Sequence, residues 1–331
     1  MAPLTPRPKI SCNFFPRPPG VIGYVLILML YVPCASAETT LRSGFVEVPG
    51  GPVWYEIAGG AGGIPLVALH GGPGGTSCGL QLLYPLADER PVLRYDQLGT
   101  GRSGRPRDAS LWQRDRFVEA LHRLRSDLGL ERMHLLGHSW GGALAAYYVL
   151  EKGGKGIVSL ILSSPLISTP LWIRDANALR ATLPPEVQAA LTRHETAGTT
   201  DDPEYLEATE VFYERFVRRG EAMEESSCDD APRNSAIYLQ MWGPTEFYAT
   251  GSLQDFDLVP RLSEIDVPTL FITGEFDEAR PGTIRGFAEL VPGGRFEMVP
   301  GVGHASLSRS PVLYREILRE FLRTVEDGAK P

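Results

Sequence analysis

One serine in this sequence has the surroundings of a nucleophile. Ser139 lies in the pentapeptide Gly-His-Ser-Trp-Gly, between an apolar run that ends at Leu136 and an alanine-rich segment with a helical pattern. A Gly-x-Ser-x-Gly sequence at a strand-to-helix turn holds the hydroxyl on a strained elbow, where small neighbours permit close backbone approach. We therefore predict that Ser139 is the nucleophile. The alternative is a serine that only caps the N-terminus of the helix.

A serine hydroxyl is a weak nucleophile at neutral pH and needs a base beside it. His304 follows a glycine-rich run, Pro-Gly-Val-Gly, between the last apolar run and the last helical segment. A loop of this kind positions an imidazole near the carboxyl edge of a sheet. We predict that His304 is the base, the alternative being a histidine that tethers its loop. His138 is adjacent to the nucleophile, so we expect its side chain to point away from it.

The base must be oriented by an acid. Asp277 follows the apolar run that ends at Thr273, and it precedes His304 in the chain. The order Ser, Asp, His, with a strand before each, is the order of the α/β-hydrolase fold. We predict that Asp277 orients the imidazole, and we expect its neighbours Glu275 and Glu278 to be solvated loop charges.

The oxyanion of an acyl-transfer reaction needs two preorganised N-H donors. One is usually the backbone of the residue after the nucleophile, here Trp140. The other is expected in the glycine-rich run 70–75, which follows the strand ending at Leu69. Gly71 is the predicted donor, with Gly72 as the alternative. The run lacks the dinucleotide-binding spacing and the Lys-Ser/Thr of a phosphate loop, so phosphate binding is not expected.

These residues must be positioned by a regular framework. Short apolar runs alternate with helical segments such as 116–128, a pattern typical of a parallel sheet covered on both faces. The runs occur at 65–69, 92–95, 133–136, 158–162, 269–273 and 296–299, after an expected hairpin at 44–57. We predict an α/β-hydrolase fold, with a mostly parallel sheet and helices on both faces. An amphipathic helix over 312–325 is expected to close it.

The pattern changes between residues 169 and 260. Strand-like runs vanish, helical periodicity dominates, and acidic residues crowd from Glu195 to Asp230. We predict an inserted helical cap at 169–260, with the hydrolase core divided into 38–168 and 261–331.

The first residues have the composition of a secretory signal. Three basic residues precede a run of about a dozen apolar residues at 21–32, and small residues follow at 35–37. A spanning helix needs roughly 20 apolar residues. We therefore expect a signal peptide, residues 1–37, cleaved after Ala37, and a secreted or exported enzyme without a stable membrane anchor.

Composition excludes several partner classes. The chain has 331 residues, 43% of them hydrophobic, and 32 basic against 40 acidic residues give a net charge of -8 without a long Lys/Arg run. Nucleic acid is therefore not expected as a partner, and the oligomeric state stays open. Cys78 and Cys228 remain after cleavage and lack metal-ligand spacing, so no metal and no cofactor are expected. The two cysteines form a disulfide or remain free thiols.

The chain resembles the prolyl aminopeptidase (proline iminopeptidase) family of α/β-hydrolases, close to the tricorn-interacting aminopeptidase branch. The resemblance covers nearly everything after the leader, and GPTEF together with HGGPG is more specific than the serine pentapeptide. The matching runs are HGGPGG at 70–75, YDQLGTGRS at 95–103, GHSWGG at 137–142, GPTEF at 243–247, TGEFDEARP at 273–281 and GVGH at 301–304. It implies Ser139, Asp277 and His304 as the triad, with Gly71 and Trp140 as oxyanion donors. The loop at 96–103 is expected to be structural.

The resemblance also implies that Glu246 binds the free amino terminus of the substrate. A carboxylate can hold an ammonium by a charge-assisted hydrogen bond, whereas a structural glutamate would cap a helix or pair with an arginine. Spacing suggests Glu214 as a second carboxylate. The stretch 220–234 departs from the family pattern, in the region that shapes the cap.

Aromatic residues of the serine turn and the GPTEF region either wall a pocket for a pyrrolidine ring or pack in the core. They are Trp140, Trp242, Phe247 and Tyr248.

The predicted function is a serine hydrolase that releases an N-terminal residue, preferably proline, from short peptides or amino-acid amides. Two alternatives stay open. One is an amidase or esterase that acts on a specialised metabolite with the same triad. The other is a catalytically silent α/β-hydrolase that acts as a binding protein.

Overall fold

An eight-stranded sheet forms the centre of the computed structural model, which describes residues 40–60, 62–222, 224 and 232–328. The predicted signal peptide lies outside the described residues. The strands are β1 (Leu41–Val48), β2 (Gly51–Ala58), β3 (Leu66–Leu69), β4 (Val92–Tyr95), β5 (Met133–His138), β6 (Ile157–Ser163), β7 (Thr269–Gly274) and β8 (Arg295–Val299). Their order in the sheet is β1-β2-β4-β3-β5-β6-β7-β8. The pairs β1–β2 and β2–β4 are antiparallel, and the remaining pairs are parallel.

The central strands are buried on both faces, which explains their continuous apolar runs. In β3, Val67 and Leu69 join one hydrophobic cluster, while Leu66 and Ala68 join another on the opposite face. Helices α1 (Arg114–Asp127), α2 (Trp140–Lys152) and α7 (Pro281–Leu290) contribute to the first cluster. The 3-10 helix Cys78–Asp88 and helix α9 (Pro311–Gly328) contribute to the second, with the short helix α8 (Ser306–Arg309) before α9. The predicted mostly parallel sheet with helices on both faces is confirmed.

Helical structure dominates the region predicted as a cap. Its helices are α3 (Thr169–Arg180), α4 (Pro185–Ala197), α5 (Pro203–Phe212) and α6 (Ser235–Met241), with a π turn at Tyr213–Val217 after α5. Prolines occupy the first or second position of α3, α4 and α5, where a missing N-H costs no helical hydrogen bond. The 3-10 helix Val259–Glu264 then leads back to β7.

A buried histidine joins the sheet to helix α9. His134 of β5 is fully buried, and its Nε2 donates to Glu326 at 2.9 Å while its Nδ1 accepts from Ser159 at 2.7 Å. Burial lowers the pKa of His134 to about 4. The side chain is therefore neutral at physiological pH and anchors the closing helix, which was predicted over 312–325.

Cys78 opens the 3-10 helix that follows the glycine-rich loop, and it is disulfide-bonded. The free-thiol alternative is thus wrong for Cys78. The other cysteines, Cys12, Cys34 and Cys228, lie outside the described residues.

In the described part of the chain, no helix has the length and apolar character needed to span a bilayer.

Candidate active site

The turn at Ser139 is a strained elbow between β5 and α2. Ser139 has φ 57° and ψ -122°, a positive φ that costs a non-glycine residue free energy and recurs at functional sites. Close packing requires glycine around it: a Cβ on Gly137 would lie 2.0 Å from the carbonyl of Gly141, and one on Gly141 would lie 2.4 Å from the carbonyl of Leu69. The elbow predicted from the pentapeptide is therefore present.

Asp277 and His304 meet beside this elbow. Nδ1 of His304 donates to Oδ1 of Asp277 at 2.8 Å, and both side chains are buried. Since the Nδ1 proton is held by the carboxylate, Nε2 is the nitrogen left to accept a proton. Burial alone would favour the neutral imidazole, but the Asp277 charge, its hydrogen bond and the Glu246 charge outweigh it and raise the pKa of His304.

Several donors hold the Asp277 carboxylate in place. Ala279 N donates to Oδ1 at 2.8 Å, and Ser164 Oγ and Thr273 Oγ1 contact Oδ2 at 2.5 and 2.8 Å. Burial opposes ionisation of Asp277, but the attraction of His304 and these hydrogen bonds prevail, so the pKa of Asp277 is lowered. Asp277 is thus an ionised acceptor fixed from three sides.

The backbone of His304 is bonded to the cap. His304 N donates to the carbonyl of Phe216 at 2.9 Å, and Ala305 N donates to that of Val217 at 2.9 Å. A Cβ on Gly303 would lie 2.4 Å from the Phe216 carbonyl, so only glycine permits this approach. The π turn of the cap therefore positions the imidazole.

The predicted oxyanion donors also lie at the elbow. A Cβ on Gly71 would lie 3.0 Å from Cβ of Ser139, so the glycine-rich loop passes directly beside the nucleophile. Trp140 is the first residue of α2, and its backbone N-H is at the unsatisfied N-terminus of the helix. The two predicted donors thus flank one serine from separate segments of the chain.

His138 belongs to the site, against our expectation. Its ring centroid lies 4.7 Å from that of His304. Desolvation and the nearby His304 charge lower the pKa of His138 to about 3, so it is a neutral neighbour of the predicted base. Adjacency to Ser139 therefore does not keep the His138 ring away from the predicted base.

A pair of carboxylates lies next to His304. Glu246 accepts a hydrogen bond from Oη of Tyr238 at 2.8 Å, and burial raises the pKa of Glu246. Glu278 has 0% exposure, its Oε1 lies 3.9 Å from Nδ1 of His304, and neither of its oxygens has a hydrogen-bond partner among the described residues. Burial and repulsion from Glu246 and Asp277 raise the pKa of Glu278 well above its usual value.

Our expectation of a solvated Glu278 is therefore wrong, and Glu278 rather than Glu214 is the carboxylate that interacts with Glu246. Glu214 lies at an exposed position in the π turn, where Phe216 takes the buried position. The sequence signal for Glu278 was its place directly after Asp277, in a loop that the sheet and cap cover.

The predicted aromatic residues pack in the core, with Tyr248 partly buried against it. Trp140, Trp242 and Phe247 are buried, and Phe247 packs on Phe212 with ring centroids 4.9 Å apart. The aromatic side chain that contacts the imidazole is Trp172, which sequence reasoning missed. Its ring lies edge-on to His304 at 5.6 Å, and its Nε1 donates to the carbonyl of Glu246 at 2.9 Å.

One cluster in the described residues has the composition of a metal site. Ligand atoms of His194, Asp202 and Glu204 lie within 4.8 Å of one another. These groups already have partners, because Asp202 caps helix α5 and Glu204 pairs with Arg193. The cluster is a network of ion pairs and hydrogen bonds on the cap.

Comparisons with known proteins agree with this geometry. The family model described as alpha/beta hydrolase fold matches residues 64–311. A proline iminopeptidase of Heyndrickxia coagulans is 42% identical over 285 residues, which cover 85% of this chain and 99% of that protein. The crystal structure of a proline iminopeptidase of Mycobacterium smegmatis matches with a TM-score of 0.77 and 34% identity, covering 87% of this chain and all of that one. The crystal structure of VinJ matches with a TM-score of 0.77 and 32% identity, and the match covers 86% of this chain and 99% of VinJ.

The sheet order, the elbow serine and the family match define an enzyme of the α/β-hydrolase fold. The 42% identity over 85% of this chain and 99% of its relative narrows that class. The chain belongs to the proline iminopeptidase family.

Proposed function

We propose that this enzyme is a serine aminopeptidase that releases N-terminal proline from short peptides or amino-acid amides. The observation that carries the proposal is the pair Glu246 and Glu278, two carboxylates gathered beside His304. The substrate of an aminopeptidase carries a protonated amine on its Cα atom, which is bonded to the scissile carbonyl carbon. The enzyme must recognise that amine. A carboxylate pair at this distance from the base supplies that recognition.

The chemistry of proline suits such a pair. Two neighbouring carboxylates resist ionisation because burial disfavours each charge and the two charges repel each other. A bound cation offsets both the desolvation and the repulsion. The protonated pyrrolidine nitrogen carries two N-H groups, one for each carboxylate. The free Glu278 oxygens are the acceptors available for this bond. An acylated nitrogen has neither the charge nor the two donors, so it is expected to be excluded.

The reaction follows from the positions of the other groups. Oγ of Ser139 attacks the carbonyl carbon while Nε2 of His304 takes its proton. The developing oxyanion is held by the N-H groups of Gly71 and Trp140. The protonated His304 then donates to the departing amine, the prolyl ester of Ser139 forms, and water releases proline by the same steps in reverse.

We also propose that the chain is exported and that its signal peptide is cleaved after Ala37. The apolar run at 21–32 followed by small residues supports export. The disulfide at Cys78 supports it independently, because disulfides persist mainly in oxidising compartments. N-terminal sequencing of protein recovered outside the cytoplasm tests this, and a chain that begins at Glu38 is the expected result.

Initial rates of the chain starting at Glu38 test the proposed activity. The substrates are fluorogenic amides of proline, alanine and N-acetyl-proline, together with a simple ester that lacks an amine. We expect the fluorophore to be released from the proline amide and not from the N-acetyl-proline amide. Ser139→Ala should be inactive on the proline amide and on the ester. Cleavage of the ester alone would move the assignment to an esterase, and an inactive wild type that resists a fluorophosphonate would indicate a silent hydrolase.

Isosteric variants test the carboxylate pair. Glu246→Gln and Glu278→Gln are expected to raise KM for proline amides about 10- to 100-fold, the value of a charge-assisted hydrogen bond. Ester cleavage should persist in both, which shows that they fold. Glu214→Gln is the matched control, since Glu214 is exposed, and its KM should be unchanged. Equal effects of all three variants would contradict the assignment.

A further inference from the structure

The loop after β4 contains a buried glutamine whose side chain bridges two other loops. Gln97 is 1% exposed. Its Oε1 accepts from Nε1 of Trp140 at 2.9 Å, and its Nε2 donates to the carbonyl of His70 at 2.9 Å. His70 directly precedes Gly71. One side chain therefore contacts both segments that supply the oxyanion donors.

The orientation of this amide is fixed by its partners. An indole N-H can only donate, and a backbone carbonyl can only accept. Oε1 of Gln97 must therefore face Trp140, and Nε2 must face His70. The alternative orientation would place two donors together and two acceptors together.

A second set of bonds extends the bridge to Gly71. The backbone N-H of Gln97 donates to Nε2 of His70 at 3.0 Å, so the ring proton of His70 is on Nδ1. Nδ1 then donates to the carbonyl of Gly71 at 2.8 Å. Burial lowers the pKa of His70, which keeps this neutral tautomer. The His70 carbonyl bonded by Gln97 belongs to the same peptide as the Gly71 N-H, so the peptides on both sides of Gly71 are held in one orientation.

The loop needs such an anchor because of its own composition. The run 70–75 contains four glycines, and glycine supplies no side chain that could fix the direction of an N-H. Trp140 is held instead by the start of α2. Gly71 and Trp140 are far apart in the chain, and the pairing of β3 with β5 ends before both of them, at Leu69 and Gly137. Noncovalent contacts beyond the sheet must therefore set the distance between the two donors.

We propose that Gln97 is a positioning residue that sets the spacing of the oxyanion donors Gly71 and Trp140. It acts through the two segments that it joins. The charge on the oxyanion exists only in the transition state, so a displaced donor lowers kcat more than it changes KM. The inference rests on the proposed acyl-enzyme chemistry and is independent of the preference for proline.

The test compares Gln97→Met, which keeps the side-chain length and removes both polar contacts, with Ser103→Ala. Ser103 is buried in the same loop, but its hydroxyl bonds Asp96 and Trp54 on the side of β2. We expect Gln97→Met to lower kcat on proline amides about 10- to 100-fold, with KM changed less than threefold. The rate of inactivation by a fluorophosphonate should fall in parallel. Ser103→Ala should lower thermal stability with kcat within about twofold.

Trp140→Phe tests the same bridge from its other end, because it keeps the backbone donor and removes Nε1. The double variant should be no slower than the slower single variant, since both break one link. An unchanged kcat in Gln97→Met, an equal kcat loss in Ser103→Ala, or additive losses in the double variant would each overturn the proposal. If Gln97→Met does not fold, Trp140→Phe alone decides. A loss in kcat with KM little changed supports the proposal, and an unchanged kcat overturns it.

The proposed function can fail separately. A wild type that cleaves no proline amide but reacts with the fluorophosphonate has a different substrate, and Gln97 is then judged on the inactivation rates alone. A wild type that reacts with neither lacks the acyl-enzyme chemistry, and both proposals fall.

Discussion

Trp172 of the cap lies edge-on to His304 of the core, with ring centroids 5.6 Å apart. The same indole donates from Nε1 to the backbone carbonyl of Glu246. One side chain thus contacts both the predicted base and the residue proposed to bind the substrate amine. The cap fixes the distance between amine recognition and proton transfer.

Trp172→Phe separates these two contacts. Phenylalanine keeps an aromatic edge toward His304 and loses the N-H that holds Glu246. We expect KM for proline amides to rise about fivefold, the value of one hydrogen bond of about 1 kcal/mol, with ester cleavage within about twofold of wild type. Steady-state kinetics on both substrates measure this, and an equal kcat loss on both would show that Trp172 acts on the base instead.

The acid limb of activity should lie above the ordinary histidine pKa of about 6.5. Asp277 and Glu246 raise the pKa of His304, so the imidazole keeps its proton to higher pH, and only the neutral form can accept the proton of Ser139. Activity therefore falls as pH drops through a value above 6.5. The pH dependence of labelling by an uncharged fluorophosphonate measures this limb without titration of a substrate amine. Glu246→Gln should move the limb to lower pH, and a limb that moves upward would contradict the role of the Glu246 charge.

Ser164→Ala should move the same limb in the opposite direction. The Ser164 hydroxyl donates to Oδ2 of Asp277 at 2.5 Å. Without this donor the carboxylate is more basic and holds the His304 proton more tightly, so the limb rises and kcat falls about three- to tenfold.

The backbone of Ser164 provides the control for this variant. It has φ 46°, a conformation that glycine adopts without strain. Ser164→Gly therefore relieves the strain while also removing the hydroxyl. A shift in both variants assigns the effect to the hydroxyl, and a shift in Ser164→Gly alone assigns it to the backbone.

His134 should make the folded chain sensitive to acid. Its pKa is about 4 when folded and about 6.5 when unfolded, so the unfolded state binds the extra proton between these values. The contribution of neutral His134 to the free energy of unfolding is fully present above pH 6.5. It is lost progressively as the pH falls, by about 3 kcal/mol near pH 4.

His134→Gln should remove this component of the pH dependence. The measurement is the free energy of unfolding in urea at several pH values, compared with wild type. His122→Gln is the matched control, because His122 is exposed. A wild-type slope that persists unchanged in His134→Gln would contradict the assignment.

The sheet and the elbow were predictable because their causes are local. Strands such as β3 and β5 are buried on both faces, so their apolar runs are continuous in the sequence. The crowded turn at Ser139 has no room for a Cβ at positions 137 and 141, so both must be glycine, and this is visible in the sequence.

The wall of the site was less predictable because it depends on distant contacts. Glu278 is a charged residue in a loop, and its burial beside Glu246 and Asp277 depends on segments that are separate in the chain. Trp172 and His138 reach His304 only when the cap is in place and the elbow has turned. Gln97 lies in the loop 96–103, for which the sequence predicts only a structural role, and its partners are 27 and 43 residues away in the chain.

The backbone bonds from His304 and Ala305 to the π turn of the cap have an evolutionary consequence. Related enzymes can acquire new substrates by replacing side chains of the π turn, since its two bonds to the base segment are made by backbone carbonyls. Insertions or deletions that shift the carbonyls of Phe216 and Val217 move the imidazole and abolish turnover for every substrate at once. Diversification of specificity in this lineage should therefore proceed by substitution within the π turn and by length changes only outside it.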